Sequence, residues 1–222
     1  PSTGIYTHLW ASGAVTAALA CIQVRTGDEE IRVYRGLTLG ALSVQATGEQ
    51  TEDFDIQLSL RGFTSARVAD WLSGSVDTVP NASPISRTLF RVDGTAAENT
   101  LDASWSWDRQ LVEDVFLSPT PHISGLRPGA SGLTGRARFR AVASDFDVLE
   151  EDDTVFAPDL QMLGVAANHQ IKFAHPHAQL SAPSLAIPGG DLIERSVDWF
   201  GFQDATTPGA KVTVINNVAS YA

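Results

Sequence analysis

Gln170-Ile-Lys-Phe-Ala174, Leu192-Ile-Glu-Arg-Ser-Val-Asp-Trp-Phe-Gly-Phe202 and Ala210-Lys-Val-Thr-Val-Ile215 lie in the last third of a 222-residue chain. Apolar and polar residues change places here at nearly every step. That is the pattern of a half-buried strand, whose successive side chains point to opposite faces. None of the three stretches carries an organised set of nucleophiles, acids and bases. Long patterned strands without reactive groups predict a protein of shape and assembly.

The same signal recurs toward the N-terminus. Ile31-Arg-Val-Tyr34, Leu37-Thr-Leu39 and Ala41-Leu-Ser-Val44 alternate, and Phe54-Asp-Ile-Gln-Leu-Ser-Leu60 alternates throughout. The polar stretch from Ala46 to Asp53, with Gly48, reads as a hairpin loop. In Leu101-Asp-Ala-Ser-Trp-Ser-Trp107, Leu101, Ala103, Trp105 and Trp107 share one face, and Asp102, Ser104, Ser106 and Asp108 the other. From Gly135 to Ala143, Arg136, Arg138 and Arg140 oppose Ala137, Phe139 and Ala141, a solvated charged face or a subunit contact.

Helical signals are few. Ser65 to Leu72 has an N-cap in Ser65, Val68, Trp71 and Leu72 on one face, and Gly74 as its stop. Pro158 to Leu163, closed by Gly164, is a second short helix candidate, because proline is tolerated in a first helical turn. Gly74 to Pro84 and Ser118 to Gly135 read as loops, the latter long enough to serve as an arm reaching a neighbour. No internal repeat and no domain boundary is visible, so residues 1–222 are read as one all-β domain, a β-sandwich or barrel with one or two short flanking helices.

Composition narrows the function. The net charge of −11 leaves little basic surface with which to hold phosphates, so specific nucleic-acid binding is not expected. The single cysteine, Cys21, excludes an intramolecular disulfide and a cysteine zinc site, and its apolar neighbours predict a buried, inert thiol. Ala11 to Ile22 is apolar but too short to span a bilayer, and reads as a buried strand. The only methionine is Met162, so a processed start, or a start inside a longer product, is expected.

Candidate chemistry is sparse. Asp145, Asp147, Glu150, Glu151, Asp152 and Asp153 cluster oxygen ligands of the kind calcium prefers, but without the glycine and terminal glutamate of an EF-hand loop; they read as a solvated acidic loop. His169, His175 and His177 suggest a metal site, yet no third convergent ligand can be placed. His8 and His122 read as structural or exposed. No Gly-x-Ser-x-Gly elbow and no phosphate-binding glycine loop occurs. Asn81-Ala-Ser83 fits a glycosylation sequon by a three-residue match alone. The tryptophans Trp10, Trp71, Trp105, Trp107 and Trp199 offer a sugar-stacking platform, although Trp105 and Trp107 share a face with Leu101 and Ala103, as core residues do. Paired carboxylates of a hydrolase are a further reading, but no pair stands out. No catalytic residue, cofactor or metal is predicted, and the chain is not expected to be an enzyme.

Several pieces, taken in order, resemble the tail tube proteins of long-tailed (siphovirus-like) bacteriophages. Tyr6-Thr7-His8 is similar to the segment leading into the strand core of one branch of that family. Arg32-Val-Tyr-Arg-Gly-Leu-Thr-Leu-Gly-Ala-Leu-Ser-Val44 resembles its Tyr-x-Gly strand and the strand that follows. The return from Phe54 to Gly62 and the strand Leu101 to Trp107 come next. Lys172-Phe-Ala-His-Pro-His-Ala178 is similar to its strand with a Pro-basic-Ala element, and Lys211-Val-Thr-Val-Ile-Asn-Asn217 to its closing strand. His177 stands where a basic residue is expected, and Ser118 to Gly135 has no counterpart.

The resemblance implies a subunit of which six copies form a ring, the inner strands joining into one continuous barrel and the rings stacking into a tube. Pairing every edge strand with a neighbour removes exposed edges, and head-to-tail stacking that does not close generates a filament. The implied partners are further copies of the chain, a tape measure protein in the lumen, and tail terminator and distal tail or baseplate proteins. Viral DNA would pass through without specific binding, no membrane is involved, and the location is the virion tail, assembled in the host cytoplasm. A carbohydrate-binding module of a virion or secreted protein is the alternative reading.

Overall fold

The structure, a computed structural model, describes residues 6–12, 20–26, 30–47, 54–62, 64–68, 85–115, 123–127, 129–140, 154–164, 169–186 and 194–216. Among them every ordered element is a strand: β1 (Tyr6–Ala11), β2 (Ala20–Thr26), β3 (Glu30–Thr47), β4 (Phe54–Arg61), β5 (Thr64–Val68), β6 (Ile85–Val92), β7 (Thr95–Ala96) and β8 (Thr100–Asp108). The second half contributes β9 (Val112–Val115), β10 (Ile123–Arg127), β11 (Gly132–Arg140), β12 (Pro158–Gly164), β13 (Gln170–Ala174), β14 (Ala178–Ala186), β15 (Glu194–Gly201) and β16 (Lys211–Asn216).

Two antiparallel sheets carry the fold. The smaller runs β1-β16-β13-β12-β6-β7, and the larger runs β14-β15-β11-β8-β3-β2, with β4 and β5 also paired to β3. The eighteen-residue β3 serves two neighbourhoods. Its first part, Ile31–Arg35, lies between β2 and β5, and its second, Ala41–Thr47, between β8 and β4. Gly36, at φ 67°, sits between the two parts. Only glycine adopts that left-handed backbone without crowding a Cβ, so the chain can re-aim in mid-strand there.

The core lies between the sheets and is built by the alternation that the sequence displays. Ala103, Trp105 and Trp107 of β8 are buried, as are Leu133, Ala137 and Phe139 of β11. From the smaller sheet, Phe90, Leu160, Met162 and Phe173 meet them. Phe90 lies 5.8 Å from Phe139 and 5.5 Å from Trp199, and Trp105 lies 5.5 Å from Phe173, all as ring centroids. Removing each such side chain from water stabilises the fold by about 1.5–3 kcal/mol.

Three expectations are corrected. Pro158–Leu163 is not a helix but most of β12, a strand with its first five residues buried. Its outward side chains Asp159 and Gln161 are buried too, so the alternation that marks a one-sided strand is absent. Ser65–Leu72 is not a helix over its described part either: Thr64–Val68 is β5, paired to Ile31–Arg35, and residues 69–72 lie outside the described residues. No helix flanks the sheets among the described residues. The loop expected over Ser118–Gly135 contains β10, hairpinned with β9, and the start of β11.

Neither sheet closes on itself among the described residues, which form an open pair of sheets and no closed barrel. The hairpin loop expected between Ala46 and Asp53, the loop Gly74 to Pro84 and the acidic run lie wholly or mainly outside the described residues.

Candidate functional site

The three histidines do not converge. His175 is fully buried, stacked on Trp105 at 4.9 Å, with its Nδ1 accepting a hydrogen bond from Trp199 Nε1 at 3.0 Å. Burial pushes its pKa down to about 4, an effect that the backbone at Ser106 opposes in part. His177 instead pairs its Nδ1 with Asp204 at 2.9 Å and packs near Phe202. Asp204 also accepts from the backbone of Thr206 and Thr207 and the Thr206 hydroxyl, and these bonds bring its pKa to about 2. His169 carries a buried Nδ1 without a hydrogen-bond partner among the described residues. No group of three or more His, Cys, Asp or Glu able to hold a metal occurs among the described residues. His8 and Cys21 fall on β1 and β2, and His122, Trp71, Asn81 and the acidic run lie outside the described residues.

The tryptophan platform is overturned in its main part. Trp105, Trp107 and Trp199 are buried between the sheets, so none of these three offers a stacking surface. Trp10 alone of the described tryptophans is half exposed.

The charged face of β11 is an array of cross-strand pairs. Arg138 reaches Asp102 on β8 at 2.7 Å and Glu194 on β15 at 3.1 Å, and Arg136 lies 3.7 Å from Asp198 and bonds Ser196. Asp102 holds Arg138 even more firmly protonated than usual. The outward face of the smaller sheet differs. There Asp159, nearly buried, accepts a two-pronged bond from Arg91 at 2.9 and 3.1 Å and a bond from Lys172 at 2.9 Å. Gln161 Nε2 donates to Gln170 Oε1 beside them.

The feature that sequence reading missed lies at the margin of the sandwich. Residues opposite one another in an antiparallel pair share a face, so Phe90, Leu160, Phe173, Val212 and Trp10 form one row on the core side of the smaller sheet. The first three are buried, but Trp10, at the edge, is 47% exposed. On the larger sheet Leu133, Trp107, Leu42 and Leu58 form the equivalent row, and Leu58 is 62% exposed.

Both rows run out on the same flank. β6 packs over β11 and β15, and β13 over β8, so the order β13-β16-β1 runs in the same direction as β8-β3-β4. Among the described residues one margin therefore presents two edge strands, β1 and β4, with partly exposed core-side apolar residues on each, Trp10 on β1 and Leu58 and Leu60 on β4. Edge strands leave unpaired backbone donors and acceptors, and apolar groups beside them invite another chain.

No known protein-family model matches this chain, and no curated protein matches it either.

Proposed function

We propose that the chain is a structural virion protein, a tail tube subunit that forms stacked hexameric rings and so makes the conduit for DNA ejection. The observation that carries the reading is the flank where β1 and β4 end the two sheets with Trp10, Leu58 and Leu60 exposed on the core side. A neighbour's strands added there would extend both sheets and continue the apolar layer between them, which is how open sheets become a ring. Contacts of this head-to-tail kind give rings when the rotation closes and filaments when it does not.

In this reading the lumen holds the tape measure protein during assembly and passes viral DNA without gripping it. Tail terminator and distal tail or baseplate proteins cap the two ends. No step needs a cofactor, a metal or a catalytic group. The location is the virion tail, assembled in the host cytoplasm.

Negative-stain microscopy of concentrated protein tests the proposal. Rings or hollow rods of uniform width are expected. Strictly monomeric particles at every concentration, with and without tail components, would sink it.

A further inference from the structure

The outward faces of the two sheets carry opposite charge. Registers place Arg87, Arg91, Lys172 and Lys211 on the outer face of the smaller sheet with Asp159 the one carboxylate among them, a net of +3. Asp159 is shared by Arg91 and Lys172, while Arg87 and Lys211 make no ion pair among the described residues. This cationic face belongs to a chain whose total is −11.

On the outer face of the larger sheet, over β4, the second part of β3, β8, β11 and β15, four arginines, Arg61, Arg136, Arg138 and Arg140, meet five carboxylates, Asp55, Asp102, Asp108, Glu194 and Asp198, a net of −1. Between them the rows hold Ser43, Gln45, Ser104, Ser106 and Thr134, short or neutral polar groups. Arg136 and Arg138 are already engaged by cross-strand carboxylates.

We infer that, in a tube built from this chain, the outer face of the larger sheet lines the bore and the outer face of the smaller sheet points away from it. The inference rests on the tube reading. A phosphate polymer retained by a wall binds through cations that release its counterions, and each such contact strengthens and salt-sensitises the hold. With screening over about 8 Å, only charges at the wall surface act on a passing strand. The smaller sheet's face would offer Arg87 and Lys211, without an ion pair among the described residues, in every copy. The larger sheet's face offers carboxylates and hydroxyls, and two of its arginines, Arg136 and Arg138, are already paired with carboxylates, while Arg140 makes no ion pair among the described residues.

The test uses assembled rods and a maleimide on a bulky polymer that enters a narrow bore only from its ends. In a Cys21→Ser background, Gln45→Cys reports the larger sheet's outer face and Arg87→Cys the smaller sheet's, both positions being exposed in the single chain. Ser104→Cys replaces Gln45→Cys if that variant does not fold. Rods should protect Gln45→Cys by at least about tenfold relative to dispersed subunits and leave Arg87→Cys unchanged, since thiol labelling follows access. Protection of Arg87→Cys instead, of both positions, or of neither overturns the orientation while rods remain visible. Failure to form rods at all is a different result: it removes the tube reading, and the orientation with it.

Discussion

Trp199 on β15 donates its indole N–H to Nδ1 of His175, the residue that follows β13, and so ties the two sheets together by a buried polar bond. With Nδ1 an acceptor, the proton of the neutral ring sits on Nε2. Charging His175 would put a second N–H against the indole N–H and leave a cation in the core. The pKa near 4 is the thermodynamic form of that conflict.

Acid should therefore weaken the fold in a defined window. The folded-state pKa of His175 lies below its ordinary 6.5, so the unfolded chain takes up the proton first as pH falls. Its contribution is complete above pH 6.5, declines as pH falls toward 4, and is gone below that. The lowering corresponds to about 3 kcal/mol. Urea unfolding at pH 7 and pH 4.5 should show a loss of stability that His175→Phe reduces. Asp204, also lowered, contributes stability above its ordinary 3.8 that is lost as pH falls to about 2, a separate and lower window.

Gly135 should not tolerate a methyl group. A Cβ there would run into the indole of Trp199, which lies across the cross-strand pair Gly135–Trp199. Trp199 cannot retreat without breaking its bond to His175. Gly135→Ala is expected to destabilise by about 1–3 kcal/mol in chemical denaturation, as overpacking does. An unchanged midpoint would contradict this packing.

Asp159 is expected to matter for stability. Its side chain is 4% exposed and holds two cations, so Asp159→Asn leaves Arg91 and Lys172 without their carboxylate. Both cations are partly solvated, which keeps the expected loss at about 2–3 kcal/mol, the lower end for a broken buried pair. Denaturation of Asp159→Asn and of Arg91→Met, singly and together, would show strong non-additivity between the two sites.

Leu58→Lys should separate folding from assembly. The residue is 62% exposed on an edge strand, so the substitution is expected to shift the unfolding free energy by no more than about 0.5 kcal/mol. Rods should disappear in microscopy, because a lysine on an edge opposes strand addition. Rods formed as readily as by the unmodified chain would remove β4 from the subunit contact.

Much of the sheet architecture was legible along the chain. β4, β8, β11, β13 and β16 alternate visibly, because one face of each meets the core and the other does not. β12 reads as a helix in the sequence because it is buried on both faces, and its polar residues are accommodated by Arg91, Lys172 and Gln170 from other strands. Between β6 and β7, Asp93-Gly94, both at positive φ, carries the signature of a two-residue hairpin turn.

The candidate surface was harder to read. Trp10 and Leu58 look in sequence like any inward residue of an alternating strand, and their direction is indeed inward. Period-two patterning assigns a side chain to a face, so local alternation was enough to specify strands, faces and an all-β class. Whether that face is covered depends on which strands stand beside and across from it, many residues away. Only the stacking of β13 over β8 and β6 over β11 placed β1 and β4 on one flank and left their apolar residues in the open.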